Sequence, residues 1–270
     1  MIVSLYIEAI PSLVENSTDI RNHYGIAIRS NWLSEKFSVS LSLPLADTQI
    51  EDVRVVRRQG GGHVRISNGR RARAMGRYFS VKMGNSLPWE SRLELRDLYR
   101  CEVDPKITSY AVQPETMHWR WAGKARRYTP DRIDLIAGGQ RRIVEVKDTF
   151  DPEKDTEYTE KLEQASQIYA ALGLSFEIRD GSSILDEPSF SAIEEIQAYR
   201  RTAITPADIT SVHRELRSES KPLHDILSRL GGAHSKATLF AMAVRRILDI
   251  DVTNGLHDEA AVSLLEGRSP

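Results

Sequence analysis

Residues 128–148 read YTPDRIDLIAGGQRRIVEVKD, and the meaning of this stretch decides the fold. Ile133, Leu135, Ile143, Val144 and Val146 anchor two β-prone runs, and Gly138-Gly139 between them is a turn signal. The pattern predicts a β-hairpin. Side chains alternate along a strand with period two, so Glu145 and Lys147 share one face and Val144 and Val146 the other. An acid and a lysine two residues apart, beside an aspartate entering the neighbouring strand, allow two outcomes. Either they form an exposed, salt-bridged face of a half-buried strand, or Asp131, Glu145 and Lys147 converge at one end of a sheet as a metal-dependent site.

Around the hairpin the chain has an α/β order. SLPWESRLELRDLYRCEVDP (86–105) carries Leu93, Leu98 and Cys101 at helical spacing, with a proline before and Asp104-Pro105 after. It predicts a helix bearing Glu90, Glu94 and Arg96. KITSYAVQP then reads as a strand and MHWRWAGKARRY as a second strand and turn. After the hairpin, DPEKDTEYTEKLEQASQIYAALGL reads as a helix ended by Gly173, and SFEIRDG as a last strand. The expected order is helix, three or four strands, helix, strand. Beyond Ser189 the apolar spacing predicts an almost wholly helical region. There Thr205-Pro206 forms a helix start, Gly231-Gly232 separates two helices, and DVTNGLHDEAAVSLL is left as a short hairpin or wing.

At 270 residues the chain has room for two domains of ordinary size. Its formal net charge of -1 conceals a strong asymmetry. From Arg54 to Trp89 there are nine Lys or Arg residues and no acid, with Tyr78 and Phe79 interleaved. Such a stretch is either a solvated basic surface or a polyanion-binding one. The arginine bias favours phosphate contacts, with Arg57, Arg58, Arg70, Arg71, Arg73, Arg77 and Lys82 as candidate DNA ligands. Gly60, Gly61, Gly62 and Gly69 make no dinucleotide motif, because no βαβ frame surrounds them. The single Cys101 excludes an intrachain disulfide and any cysteine-rich zinc site, which suits a reducing compartment. Glu8 interrupts the apolar N-terminal stretch, so a signal peptide is not expected and the expected location is cytoplasmic. No membrane partner is expected.

The candidate chemistry is phosphodiester hydrolysis. That reaction needs an activated water, a cation on the non-bridging oxygen and a stabilised leaving alkoxide, much of which a divalent ion on carboxylates supplies. Asp131, Glu145, the Val146 carbonyl and Glu94 are oxygen donors suited to Mg2+, with Mn2+ as a substitute. Without histidine or cysteine ligands zinc is less suited. Lys147 is placed to orient the attacking water and offset charge on phosphorus.

Pro130-Asp131 and Glu145-Val146-Lys147, preceded by a helical glutamate, resemble the PD-(D/E)xK nuclease superfamily. A wider set of strings is more specific: MGNSLPWESRLELRDLYRCEVDP, Gln113-Pro114, YTPDRIDL and IVEVK, within residues 74–180. Together they resemble the TnsA-like endonuclease subunit of heteromeric TnsABC-type transposases. The resemblance implies an α/β restriction-endonuclease-like core, a mixed sheet flanked by helices, followed by a C-terminal all-helical, winged-helix-like domain. The expected division is an N-terminal strand-rich region with the basic segment at 1–73, the nuclease core at 74–185 and the C-terminal domain at 189–270.

The same resemblance makes Glu94 the helical catalytic glutamate, Asp131 the metal-binding aspartate, Lys147 the catalytic lysine and Glu145 the adjacent metal-site residue. Glu90 is then a helix cap. Gln113 lies in a family motif, and Gln164 and Tyr169 are further residues able to line the site or the core. The implied activity is cleavage of one strand at the 5′ transposon ends. The implied partners are double-stranded DNA, an RNase H-like transposase and an ATPase regulator contacting the C-terminal domain. Two alternatives stay open: a nuclease that works alone, restriction-type or junction-cleaving, and an inactive DNA-binding assembly subunit.

Overall fold

The computed structural model describes residues 36–41, 43, 45, 47, 49–58, 74–149, 151–217, 219–231 and 235–265. In chain order the first elements are β1 (Lys36–Ser40), β2 (Ile50–Arg58), β3 (Gly76–Ser80), β4 (Asn85–Trp89), α1 (Arg92–Val103), β5 (Ile107–Val112), β6 (Glu115–Trp121) and β7 (Lys124–Tyr128). They are followed by β8 (Arg132–Ile136), β9 (Arg141–Val146), α2 (Thr156–Ala171) and β10 (Ser175–Arg179). The chain closes with α3 (Gly181–Ile184), α4 (Ser189–Ala198), α5 (Pro206–Leu216), β11 (Lys221–Pro222), α6 (Leu223–Leu230), α7 (Ser235–Val244), β12 (Leu248–Ile250) and β13 (Ala261–Leu264). Two compact units result, Met1–Ala72 with Ser109–Arg179, and Arg73–Thr108 with Asp180–Pro270.

In the first unit the hairpin forms as expected. β8 and β9 pair antiparallel, Arg132 opposite Val144 and Ile133 opposite Ile143. Gly138 and Gly139 adopt φ of 92° and 88°, the left-handed region that a side chain disfavours. β10 then pairs parallel to β9, with α2 as the crossover. The sheet order is β10-β9-β8-β5, a mixed sheet, and a separate antiparallel sheet runs β1-β2-β6-β7.

MHWRWAGKARRY, expected as a strand and turn, is a complete hairpin, β6 with β7. Five strands therefore lie between α1 and α2, because Ala122 and Gly123 take positive φ and let the chain reverse within two residues. Leu162, Ala165, Ile168 and Tyr169 repeat at helical spacing on α2. They bury against Val53, Val55, Met117 and Trp119 of one sheet and Ile143 of the other.

β9 is a central strand. Val144 and Val146 are buried on one face and Glu145 on the other. Of the two outcomes open to the hairpin, an exposed charged face does not form at Glu145, since strands on both sides and α2 leave β9 little contact with water.

The second unit is built on α1, whose N-cap Ser91 accepts the Glu94 amide and whose Leu93, Leu98, Cys101 and Val103 are buried. Val103 shares a core with Ile193 and Ile196 of α4 and with Leu239, Phe240 and Val244 of α7. Residues 74–108, joined to the nuclease core in the sequence reading, group with the C-terminal residues for this reason. Thr205 caps α5 in a reciprocal pair with Asp208. The C-terminal region is not all-helical: β11, β13 and β12 form a three-stranded antiparallel sheet in that order. Only β13 falls in the stretch read as a short hairpin or wing; β11 and β12 lie in stretches read as helical, because strands of two or three residues are too short to show a period-two pattern.

Candidate active site

The corner that carries Asp131 is fixed from three directions. The Thr116 and Thr129 hydroxyls share a hydrogen bond of 2.7 Å, the Gln113 amide donates to the Asp131 carbonyl at 3.0 Å, and the Val146 amide donates to Asp131 Oδ2 at 2.8 Å. Gln113 itself is buried with φ 44°. Its observed role is to hold the Pro-Asp corner through the backbone. The hairpin register thus brings Asp131 to Val146, 15 residues apart in sequence.

Glu145 lies one residue away and is 4% exposed. Its Oε2 accepts the Tyr128 hydroxyl at 2.7 Å, and its Oε1 accepts the Tyr158 hydroxyl from the first turn of α2. Lys147 Nζ sits 3.0 Å from the same Oε1. A buried carboxylate without partners is costly by several kcal/mol; here two hydroxyls and one ammonium compensate it. The tyrosines are firm donors, because burial and then the charge of Glu145 push both phenols well above their ordinary pKa. Lys147 stays 32% exposed, its Nζ also 4.3 Å from the centre of the Tyr158 ring. The amide of Lys147 donates to Arg179 O at 2.9 Å, tying the lysine to β10.

This geometry brings Asp131, Glu145, Val146 and Lys147 together in the first unit. Tyr128 and Tyr158 complete the cluster and were missed from sequence. Tyr128 directly precedes the TPD corner, but no sequence rule marks a tyrosine as a carboxylate donor. Glu94 belongs to the second unit. There Glu94 Oε2 accepts the Glu90 amide at 2.8 Å, so the capping carboxylate is Glu94 and not Glu90, as the sequence had suggested. Tyr169 is fully buried and donates to Glu115 at 3.0 Å, and Gln164 Oε1 accepts the Trp119 indole at 2.9 Å. Both pack the interior of α2.

Among the described residues no three or more His, Cys, Asp or Glu side chains gather as a metal site. The donor set at the corner is nonetheless all oxygen, and Mg2+ is held by one or two carboxylates plus waters. Each carboxylate oxygen has about two acceptor positions. Glu145 Oε1 uses both, on Tyr158 and Lys147, whereas Oε2 uses one, on Tyr128. In donor chemistry, Asp131, Glu145 and the Val146 carbonyl suit a magnesium ion.

The expected DNA ligands divide. Arg57 is buried and donates to Glu115 at 2.6 Å and 2.8 Å, so it belongs to the interior. Lys82 donates to the carbonyls of Cys101, of Asp104 at 2.8 Å and of Ile107 at 3.0 Å, closing the C-terminal end of α1. Burial pushes its pKa down to about 8, against the opposing pull of Glu102. Arg77 is exposed and bonded across its hairpin to Ser86. Arg58 is described only in its backbone, and Arg70, Arg71 and Arg73 lie outside the described residues. A basic row that the sequence did not reveal appears instead: Arg54, His118 and Arg127 are successive partners across β2, β6 and β7. Arg120 lies two residues along β6, and Arg54, Arg120 and Arg127 are exposed. No helix among the described residues is long and apolar enough to cross a membrane.

Residues 104–181 match the family model described as TnsA-like endonuclease N terminal. The matched segment holds Asp131, Glu145, Lys147 and α2, begins after α1, and supports a TnsA-like endonuclease. No curated protein matches the chain.

Proposed function

We propose, from the TnsA-like endonuclease segment at residues 104–181, that the protein is a metal-dependent DNA endonuclease cutting one strand at the 5′ ends of a transposon. The observation that carries this reading is the convergence of Asp131 and the Glu145-Val146-Lys147 triplet. The Val146 amide binds Asp131 at 2.8 Å, and Lys147 lies 3.0 Å from Glu145. An ordinary hairpin has no need to bury a glutamate and leave its lysine partner at the rim.

Asp131, Glu145 and the Val146 carbonyl would hold Mg2+, which when bound polarises the phosphoryl oxygen and lowers the pKa of a ligated water. The chain's own groups do the rest. Tyr128 and Tyr158 fix the Glu145 carboxylate in one orientation, and Lys147, tethered to it, presents its ammonium at the rim where a phosphate arrives. There it orients the attacking water and offsets negative charge developing on phosphorus. Glu94 enters this proposal on the family resemblance alone.

A transposase partner that processes the 3′ ends and an ATPase regulator belong to the same proposal. The order α5, β11, α6, α7, β12, β13 and the sheet order β11-β13-β12 support a winged-helix reading of the C-terminal region. In α7, however, residues 239–244 are all buried, so that segment packs the core of its own unit, which speaks against groove reading by it. A labelled transposon end incubated with Mg2+, with and without the neighbouring gene products, tests the function. Nicking confined to the 5′ strand and dependent on the partner supports it; efficient cutting of any plasmid by the chain alone points to an independent nuclease.

A further inference from the structure

Lys161 stands one turn beyond Tyr158 on α2, and its Nζ is 4.3 Å from the centre of the Tyr158 ring. The Lys147 ammonium is at the same 4.3 Å from that ring. The two lysines differ in their partners. Lys147 is neutralised by Glu145 at 3.0 Å, whereas among the described residues no carboxylate lies within ion-pair reach of Lys161. The charged groups that act on it are Glu145 and Asp155, which attract it, and Lys147 and Arg126, which repel it. Arg126 is engaged by Glu157 at 2.8 Å and Glu160 at 3.3 Å. Burial, and the like charge of Lys147, hold the Lys161 pKa below the usual lysine range. A half-buried ammonium that is repelled by a second one packed on the same tyrosine ring is poorly compensated by the protein itself. It is best compensated by an anion.

We propose that Lys161, packed with Lys147 on the ring of Tyr158, is part of a phosphate subsite that takes a backbone phosphate of the DNA strand being cut. Lys161 is the phosphate-binding residue. Tyr158 is a positioning residue, its hydroxyl anchored on Glu145 and its ring carrying both cations. The inference rests on the nuclease reading of the Asp131–Lys147 corner.

The test is equilibrium binding of a duplex transposon end by the full chain carrying Asp131→Asn, which separates binding from cutting, over a range of salt concentrations. In that background Lys161→Gln is expected to weaken binding about tenfold, the scale of one charge-assisted contact. It should also reduce the salt slope by about 1. Lys161→Arg restores most of both. In the protein with Asp131 intact, Tyr158→Phe keeps the ring but frees Glu145, so kcat falls while KM stays within about twofold. Lys161→Gln that binds with the parent's affinity and slope overturns the subsite and leaves the nuclease reading standing. A parent protein that binds no DNA, either alone or with the neighbouring gene products present, overturns the nuclease reading, and the subsite with it.

Discussion

Two buried glutamates, Glu145 in the first unit and Glu102 in the second, are 4% and 0% exposed and each lies near a lysine. Glu102 accepts the Ser80 hydroxyl and the backbone amides of Val81 at 3.0 Å and Lys82 at 3.4 Å, while Lys82 is consumed by three carbonyls. Glu145 accepts only side chains, two tyrosine hydroxyls and Lys147, and its lysine remains partly open. One acid and lysine tie the β3–β4 turn to the end of α1. The other pair is pre-organised by side chains that make no demand on the backbone. Burial alone does not distinguish a working carboxylate from a structural one; what the carboxylate holds does.

The sharpest break of this comparison comes from substitution at the corner. Asp131→Asn or Lys147→Ala is expected to lower cleavage by about three orders of magnitude, the scale of losing a transition-state charge or proton-transfer group. Unfolding free energy should stay within about 1 kcal/mol of the parent for Asp131→Asn, whose side chain fills no core, and fall further for Lys147→Ala, which removes the ammonium paired with buried Glu145. Single-turnover nicking and urea unfolding measure the two; normal cutting by both variants removes the site assignment.

Glu102→Ala should do the reverse. It strands the Val81 and Lys82 amides and the Lys82 charge, at a cost of about 3 kcal/mol in urea unfolding. A loss as small as a surface substitution would show that the two glutamates are not different in kind.

Lys82 adds a pH signature. Its folded pKa of about 8 lies below the ordinary lysine value of 10.5. Between those values the unfolded chain binds more protons than the folded one, so this group makes stability rise with pH. Below about 8 both states are protonated and the penalty is constant. Above pH 10 the opposite contribution begins, because Tyr78, Tyr128 and Tyr158 have folded pKa values raised above their unfolded ones and lose their stabilising effect as the unfolded phenols ionise. Urea unfolding at pH 8 and pH 9.5 should show the rise, and Lys82→Met should abolish it while lowering stability by about 2 kcal/mol.

The smallest effect is expected on the basic row. Arg54→Gln with Arg127→Gln should reduce the salt slope of DNA binding by about 2 if both meet phosphates, with little change in cleavage at saturating DNA. An unchanged slope would mark this sheet face as merely solvated.

Much of this molecule follows from local sequence. The hairpin at 128–148, the helical spacing of Leu93, Leu98 and Cys101, and the Thr205-Pro206 helix start all appear in the structure, because turn chemistry, periodicity and capping act over a few residues. The pairing of Glu145 with Lys147 was legible for the same reason, since alternation puts both on one face.

Other features were not legible. Arg57 and Lys82 read as DNA ligands because charge is visible in sequence while its partner is not; Glu115 is 58 residues from Arg57, and the Ile107 carbonyl 25 from Lys82. Tyr128 and Tyr158 approach Glu145 from a different sheet and from a helix, which no periodicity reveals. The row Arg54, His118 and Arg127, exposed at its two arginines, exists only through the register of three strands.

The sequence by itself determined the residue types at the corner, the hairpin that carries them and the α/β order around it. Tertiary structure decided which charges are spent and which are presented, because the partner of a buried ion is chosen by packing between elements far apart in the chain. It also decided that α1 shares its core with the C-terminal helices, since Val103 finds its apolar contacts on α4 and α7.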